Sequence, residues 1–157
     1  HQAANMAGIA FSNSQVHIVH ALGHSFAAIF PVPHGSLVGL FLPYVLQYCL
    51  NAPGDTNESI ILYSELAKKL GWAKWDDEDK KAANTVLEKI KELQKLVSFS
   101  TNLKDLGIER ENFEKNLDRL ISLCFQDPSG VMAPRSPTKE DFSRLYKYAY
   151  DGKDIDF

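Results

Sequence analysis

The sequence has little that would commit it to a membrane, to nucleic acid or to an oxidising compartment. Its 157 residues include two cysteines, Cys49 and Cys124, and these form no CxxC or other ligand-like spacing. Both lie in apolar helical surroundings, so buried reduced thiols are expected, and with them a cytoplasmic location. No apolar run reaches the ~20 residues that span a bilayer. The most apolar stretch, Leu37 to Leu50, carries Gly39, Pro43 and Gln47 and reads as a core helix. Residues 1–12 lack a basic start followed by an apolar run, so no secretory leader is expected. A formal net charge of −3 offers no cationic surface to nucleic acid or to an anionic membrane. Lys and Arg are interleaved with acids, as in Glu78-Asp79-Lys80-Lys81, in the manner of a solvated helix face. Also lacking are strand-like alternation and any G-x-G-x-x-G turn that would cradle a dinucleotide phosphate.

What remains is helical. Hydrophobic residues at 45% and charged residues at 24% suit one globular domain over residues 1–157, with no internal repeat and no long linker. The chain opens in what reads as mid-helix, without an initiator methionine, so it is expected to continue an element that begins upstream. An alanine-rich helix is expected over residues 2–10. Ser12-Asn13-Ser14 then supplies N-cap residues for a second helix from Gln15 to about Ala28. Phe30-Pro31-Val32-Pro33 breaks it, because neither proline can donate to a continuing ladder. A third helix runs from His34 to Leu50, kinked at Pro43, and a turn follows at residues 51–55. The helix after Thr56 offers Ile61, Leu62, Leu66 and Leu70 to the core and ends at Gly71. Asp76 or Asp77 caps the longest helix, with a stripe of Ala83, Val86, Leu87, Ile90, Leu93 and Val97. Beyond a loop from Ser98 to Ile108, Phe113, Leu117, Leu120, Ile121 and Cys124 mark another helix. After the connection from Asp127 to Pro137, Thr138 and Asp141 resemble a capping box opening the last one. The fold class is therefore all-α, a bundle of six or seven helices.

Four of the five histidines fall within residues 17–34. His20 and His24 stand one helical turn apart, about 6 Å along the axis and about 40° around it, so their imidazoles can face one cavity. His17, on the same expected face, lies about 11 Å from His24 along the axis, too far to share one ion with both. The prolines let the chain return, and at about 3.4 Å per extended residue the segment from Ala28 can bring His34 beside His20. His34 then opens a helix whose positive end favours the neutral, ligand-competent imidazole. By itself this is half of a metal site, since two histidines leave a divalent ion short of its usual four or more ligands.

The residues carry more than spacing. Ala7-Gly8-Ile9-Ala10-Phe11-Ser12-Asn13, then His20-Ala21-Leu22-Gly23-His24, then Pro33-His34-Gly35 and Leu42-Pro43 resemble the signature of the iron-containing alcohol dehydrogenases. Leu106-Gly107-Ile108, Asp127, Pro134-Arg135 and Thr138 with Glu140-Asp141 are similar to that family's C-terminal region. The resemblance implies the helical C-terminal domain of a dehydroquinate synthase-like two-domain enzyme, whose N-terminal α/β domain, not in this chain, binds NAD or NADP. It implies His20 and His34 as metal ligands, completed by an Asp and a His from upstream, with iron the expected ion and zinc the alternative. It implies His24 as a catalytic residue in the cleft near a small alcohol or aldehyde substrate. A homo-oligomer is an open expectation, and the chain alone is expected to be inactive.

Three positions depart from the family pattern. His17 and Ala27 stand where glycine is common, and Ser25 where proline is. His17 is expected to face neighbouring helices or to make an outer hydrogen bond. A non-catalytic metal- or partner-binding module of the same fold is the alternative reading, and a related sugar-phosphate cyclase or polyol dehydrogenase a third. Phe26, Phe30 and Phe41 suit either a substrate wall or an ordinary core. Trp72 and Trp75 are expected to pack, and Arg135 to contact a helix-start loop.

Overall fold

The computed structural model describes residues 1–53 and 57–157. Among these it holds seven α-helices and no strand, in keeping with the all-α expectation. They are α1 (Gln2–Ser14), α2 (Ile18–Ala27), α3 (His34–Leu50), α4 (Glu58–Lys69), α5 (Asp79–Leu96), α6 (Arg110–Gln126) and α7 (Lys139–Asp151). Short 3-10 turns cover Lys104–Leu106 and Pro128–Met132. No helix among the described residues is long and apolar enough to cross a membrane. The turn expected at 51–55 lies partly outside the described residues, at Gly54 and Asp55.

Helix α3 organises the rest. Ten of its 17 residues are buried, so it has no solvent face of normal width and must be packed on several sides. One side joins α2, α6 and α7 around Leu22, Phe26, Phe41, Leu120 and Tyr146. The other, through Leu46 and Leu50, joins α4 and α5 around Ala67, Ala82, Ala83 and Val86. Phe26, Phe30 and Phe41 are all buried in the first core, with Phe26 stacked on Phe30 at 4.5 Å, so of their two readings the core is the one realised. Both cysteines are free and buried, as expected.

Several local expectations fail for identifiable reasons. Ser12, Asn13 and Ser14 do not cap α2. Their side chains donate back to the carbonyls of Gly8, Ile9 and Ala10 at 2.7, 2.8 and 3.1 Å, which extends α1 to Ser14. The break falls at Gln15, in the left-handed region at φ 67°, and His17 becomes the extended N-cap of α2. It therefore lies off the helix face on which the sequence spacing placed it. In α4, Ile61 and Leu62 are 55% and 62% exposed, and Leu66 and Leu70 are exposed too. The fully buried positions are Ser59, Ser64 and Ala67, where α4 lies close against the alanines of α5, with Ile60 and Tyr63 packed half-buried beside them. Gly71 does end the helix, at φ 71°. Trp75, 70% exposed, does not pack, and Trp72 is exposed as well.

Helix α5 keeps Ala83, Val86 and Leu87 inside but leaves Leu93 and Val97 exposed, with Gln94 buried instead. Neither Asp76 nor Asp77 caps it, since its N-cap is Glu78 without a side-chain bond. Asp77 accepts from Lys74 N–H at 2.8 Å and from Lys81, closing the preceding turn. Asn57 caps α4, accepting from Ser59 N–H and Ile60 N–H while its amide donates to the Cys49 and Leu50 carbonyls. That one side chain joins the end of α3 to the start of α4. The Arg135 guanidinium donates to the Tyr48 and Phe157 carbonyls and lies 3.8 Å over the Tyr48 ring, fastening the C-terminus to α3, and its charge helps lower the Asp141 carboxyl in the first turn of α7.

Thr138 and Asp141 do form the expected capping box on α7. Burial alone would raise the Asp141 carboxyl, but bonds from the Thr138 N–H and hydroxyl hold it below the ordinary aspartate value. A depressed folded value means the stabilisation is complete above the unfolded value and fades as pH falls through the folded one. Thr138→Ala should therefore cost about 1 kcal/mol at neutral pH. Urea titrations should show that deficit narrowing below about pH 4, where Asp141 begins to lose its charge in the parent as well.

Candidate active site

The proline-bound connection after α2 doubles back, and α3 packs against α2. His34, the first residue of α3, thereby comes to the turn of α2 that carries His20 and His24. The ring centroids of His20 and His24 are 5.6 Å apart, those of His20 and His34 5.4 Å, and those of His24 and His34 5.0 Å. The last pair is stacked, at 22° between planes. His24 and His34 are exposed and His20 is half-buried. Three imidazoles from two helices thus meet at one place, two of them exposed at the surface.

Sequence spacing did not assign a partner to His24. Asp127 Oδ2 lies 2.8 Å from His24 Nδ1, although 103 residues separate them. Asp127 is itself fixed. It ends α6 and opens the 3-10 turn at Pro128, and its Oδ1 accepts from both the N–H and the hydroxyl of Ser129. Burial would raise this carboxyl, yet the Ser129 bonds and His24 together hold it below the usual aspartate value. An ionised carboxylate only accepts, so Nδ1 carries a proton, and in the neutral ring Nε2 is the free nitrogen. Carboxylates in this relation orient an imidazole and fix its tautomer. The signal available in the sequence was Asp-Pro followed by Ser, an N-cap pattern, but nothing local tied it to a histidine.

Burial, followed by the neighbouring His24, His34 and His17, pushes His20 below the ordinary histidine range, with Asp127 pulling the other way. His20 is therefore neutral at pH 7, the form that binds metal ions. His17 is half-buried, its pKa lowered by burial, and its Nδ1 is enclosed with no hydrogen-bond partner among the described residues. In the core behind α2, Tyr146 Oη donates to Leu22 O at 3.0 Å and lies 3.2 Å from Cys124 Sγ. Burial raises the Cys124 thiol to about 11, so it is a packing group and not a nucleophile. The donor set of His20 and His34 is all nitrogen and fits a first-row divalent ion in chemistry but not in number. Among the described residues, no three His, Cys, Asp or Glu side chains are arranged as a complete metal-holding group.

These features sit in a recognisable class of protein. Residues 1–150 match the Fe-containing alcohol dehydrogenase family, C-terminal, and the chain belongs to that family. It is 29% identical over its full length to the NADPH-dependent butanol dehydrogenase of Clostridium saccharobutylicum, covering 38% of that protein. With the alcohol dehydrogenase of Thermococcus barophilus it shares 32% identity over 150 residues, 35% of that protein. The fold superposes on the iron-containing alcohol dehydrogenase of Thermococcus thioreducens with a TM-score of 0.78 and 30% identity, covering 97% of this chain and 36% of that one. The chain thus spans little more than a third of the length of these relatives and corresponds to their C-terminal part.

The Asp127 contact makes a spectroscopic prediction. In 15N-resolved NMR spectra recorded where the imidazoles are neutral, His24 should be the Nδ1–H tautomer. Asp127→Asn should move it toward the Nε2–H form, because the amide no longer demands a donor. An unchanged tautomer would sever the link between the two residues.

Proposed function

We propose that this chain is the helical metal-binding domain of an NAD(P)-dependent alcohol dehydrogenase that interconverts alcohols with aldehydes or ketones by hydride transfer. The observation that carries the reading is the meeting of His20, His24 and His34 within 5.6 Å, with His24 seated on Asp127, in a member of this family. On this reading the native protein carries a preceding α/β domain that binds most of the nicotinamide cofactor and adds an aspartate and a histidine to the metal site. His20 and His34 are the ligands this domain contributes. The ion is divalent, iron first and zinc second. When bound, it supplies Lewis acidity to the substrate oxygen.

His24 has the catalytic role. With Nδ1 donating to Asp127, its Nε2 is left to accept a hydrogen bond from a substrate hydroxyl, orienting the alcohol and holding its proton as the alcohol is oxidised. The exposed Met6, Ile9 and Phe11 of α1, a helix with no buried residue, suit a surface that meets further protein, either the preceding domain or a second copy. Reduced buried cysteines and the lack of any cationic face suit a cytoplasmic enzyme of small substrates, with neither nucleic acid nor membrane as partner.

The test compares the longer protein with the isolated chain. Joined to a nucleotide-binding domain, it should hold one divalent ion per chain and reduce NAD(P) with a primary alcohol. His20→Ala and His34→Ala should each abolish stoichiometric metal. His24→Ala should keep the metal and lower kcat by about 10²-fold or more. Iron held without turnover would instead favour the non-catalytic module. The isolated chain should show no turnover, and calorimetry should find metal bound weakly at most; tight stoichiometric binding there would contradict the half-site.

A further inference from the structure

Helix α3 contains Pro43, which has no N–H to offer the carbonyl four residues earlier, that of Gly39. A buried carbonyl left without a donor is costly, on the order of 1–3 kcal/mol. Here the vacant position is taken by a side chain from a different helix. Gln94 Nε2, on α5, donates to Gly39 O at 2.8 Å. Gln94 is 7% exposed, and its Oε1 is buried with no hydrogen-bond partner among the described residues, so Gly39 is what this amide engages. Phe99, just beyond α5, closes on the same residue: a Cβ on Gly39 would stand 2.7 Å from Phe99 Cζ. The two contacts hold α3 at a point about one and a half turns from His34, on the segment that Pro43 uncouples from the buried C-terminal half.

We propose that Gln94 is a positioning residue for His34, acting through the carbonyl that Pro43 frees. The N-terminal half of α3 is fixed on one side by α2, at Gly23 and Val38, and on the other by this bond from α5. With the Gln94 bond in place, the half-helix has one direction, and His34 meets His24 with their rings stacked. Without it, the segment hinges at Pro43 and the imidazole pair separates. The role of Gln94 in the fold needs no metal, whereas its consequence for function rests on the histidine site proposed above.

The proposal makes a rescue prediction that a merely structural role for Gln94 would not. Pro43→Ala restores an N–H to Gly39 O, so it should make Gln94 dispensable. The readout is the set of ring-to-ring NOEs between His24 and His34 in this chain, free of metal. Gln94→Leu should lose those cross-peaks, Pro43→Ala should keep them, and Pro43→Ala with Gln94→Leu should recover them. If Gln94→Leu does not fold, a folded double variant with the cross-peaks intact carries the same meaning, and an unfolded double variant overturns the proposal. Undiminished cross-peaks in Gln94→Leu, or loss that Pro43→Ala does not repair, also overturn it. Because no metal or turnover is measured, either result leaves the dehydrogenase reading to its own test.

Discussion

Gly23 lies between His20 and His24 on the face of α2 that meets α3, and a methyl group there would come within 3.3 Å of Val38 Cγ2 and 3.7 Å of Leu37 Cβ. This close contact between two helices follows from the turn at Phe30-Pro31-Val32-Pro33, where the chain cannot continue as a helix and reverses. Everything at the site depends on the pair. The reversal brings His34 back to the level of His20 and His24, and the glycine lets the helices approach until the rings are 5.0–5.6 Å apart. The glycine costs about 1 kcal/mol of helix stability relative to alanine, and a methyl in its place would require Val38 to give by a few tenths of an ångström.

The helices that do not bear histidines serve to make this pair rigid. Phe26 and Phe41 interlock with Tyr146 of α7 in the core behind the histidine pair of helices. Tyr146 also donates to the Leu22 carbonyl, in the turn between His20 and His24, and touches Cys124 of α6. Helix α6 ends at Gln126 and its C-cap is Asp127, so the element that braces α2 from below also delivers the carboxylate that orients His24. On the other side, α4 and α5 pack on the C-terminal half of α3 around Ala67, Ala82, Ala83, Val86 and Leu87, while Ile61, Leu62, Leu66 and Leu93 stay outward.

How far the sequence discloses this depends on whether the relevant force is local. The helices with a broad apolar face, α6 and α7, and the proline-bounded α3 follow from periodicity and punctuation alone. So does the approach of His34 to His20, which needs only chain reach and a break. Periodicity misleads in α4, where Ile61, Leu62 and Leu66 outnumber the inward Ser64 and Ala67. There the deciding quantity is the separation of two helices, and a small residue is buried because it is small. The same applies to α5, whose stripe predicts Leu93 and Val97 inside but whose buried residue is Gln94, drawn in by a carbonyl in another helix. Ser12, Asn13 and Ser14 could equally have capped one helix or bonded back within the previous one, and sequence gives no means of choosing. Asp127 stays hidden for the most general reason: its partner is 103 residues away.

The stability of the fold does not account for the histidine cluster. His24 and His34 are exposed, so their removal would leave no cavity, and their mutual proximity opposes protonation of His20 without contributing to the core. On the proposed reading, the arrangement serves a ligand that takes neutral imidazoles. Asp127 sets the limit on what these residues can hold by themselves. Its Oδ1 is occupied by Ser129 and its Oδ2 by His24, so both carboxylate oxygens are engaged in orienting the cluster. Turning Asp127 toward an ion would break the bonds that keep its charge in place and release His24. On the proposed reading, the anionic ligand a divalent ion requires therefore comes from beyond these residues, and Asp127 acts on the reaction through His24.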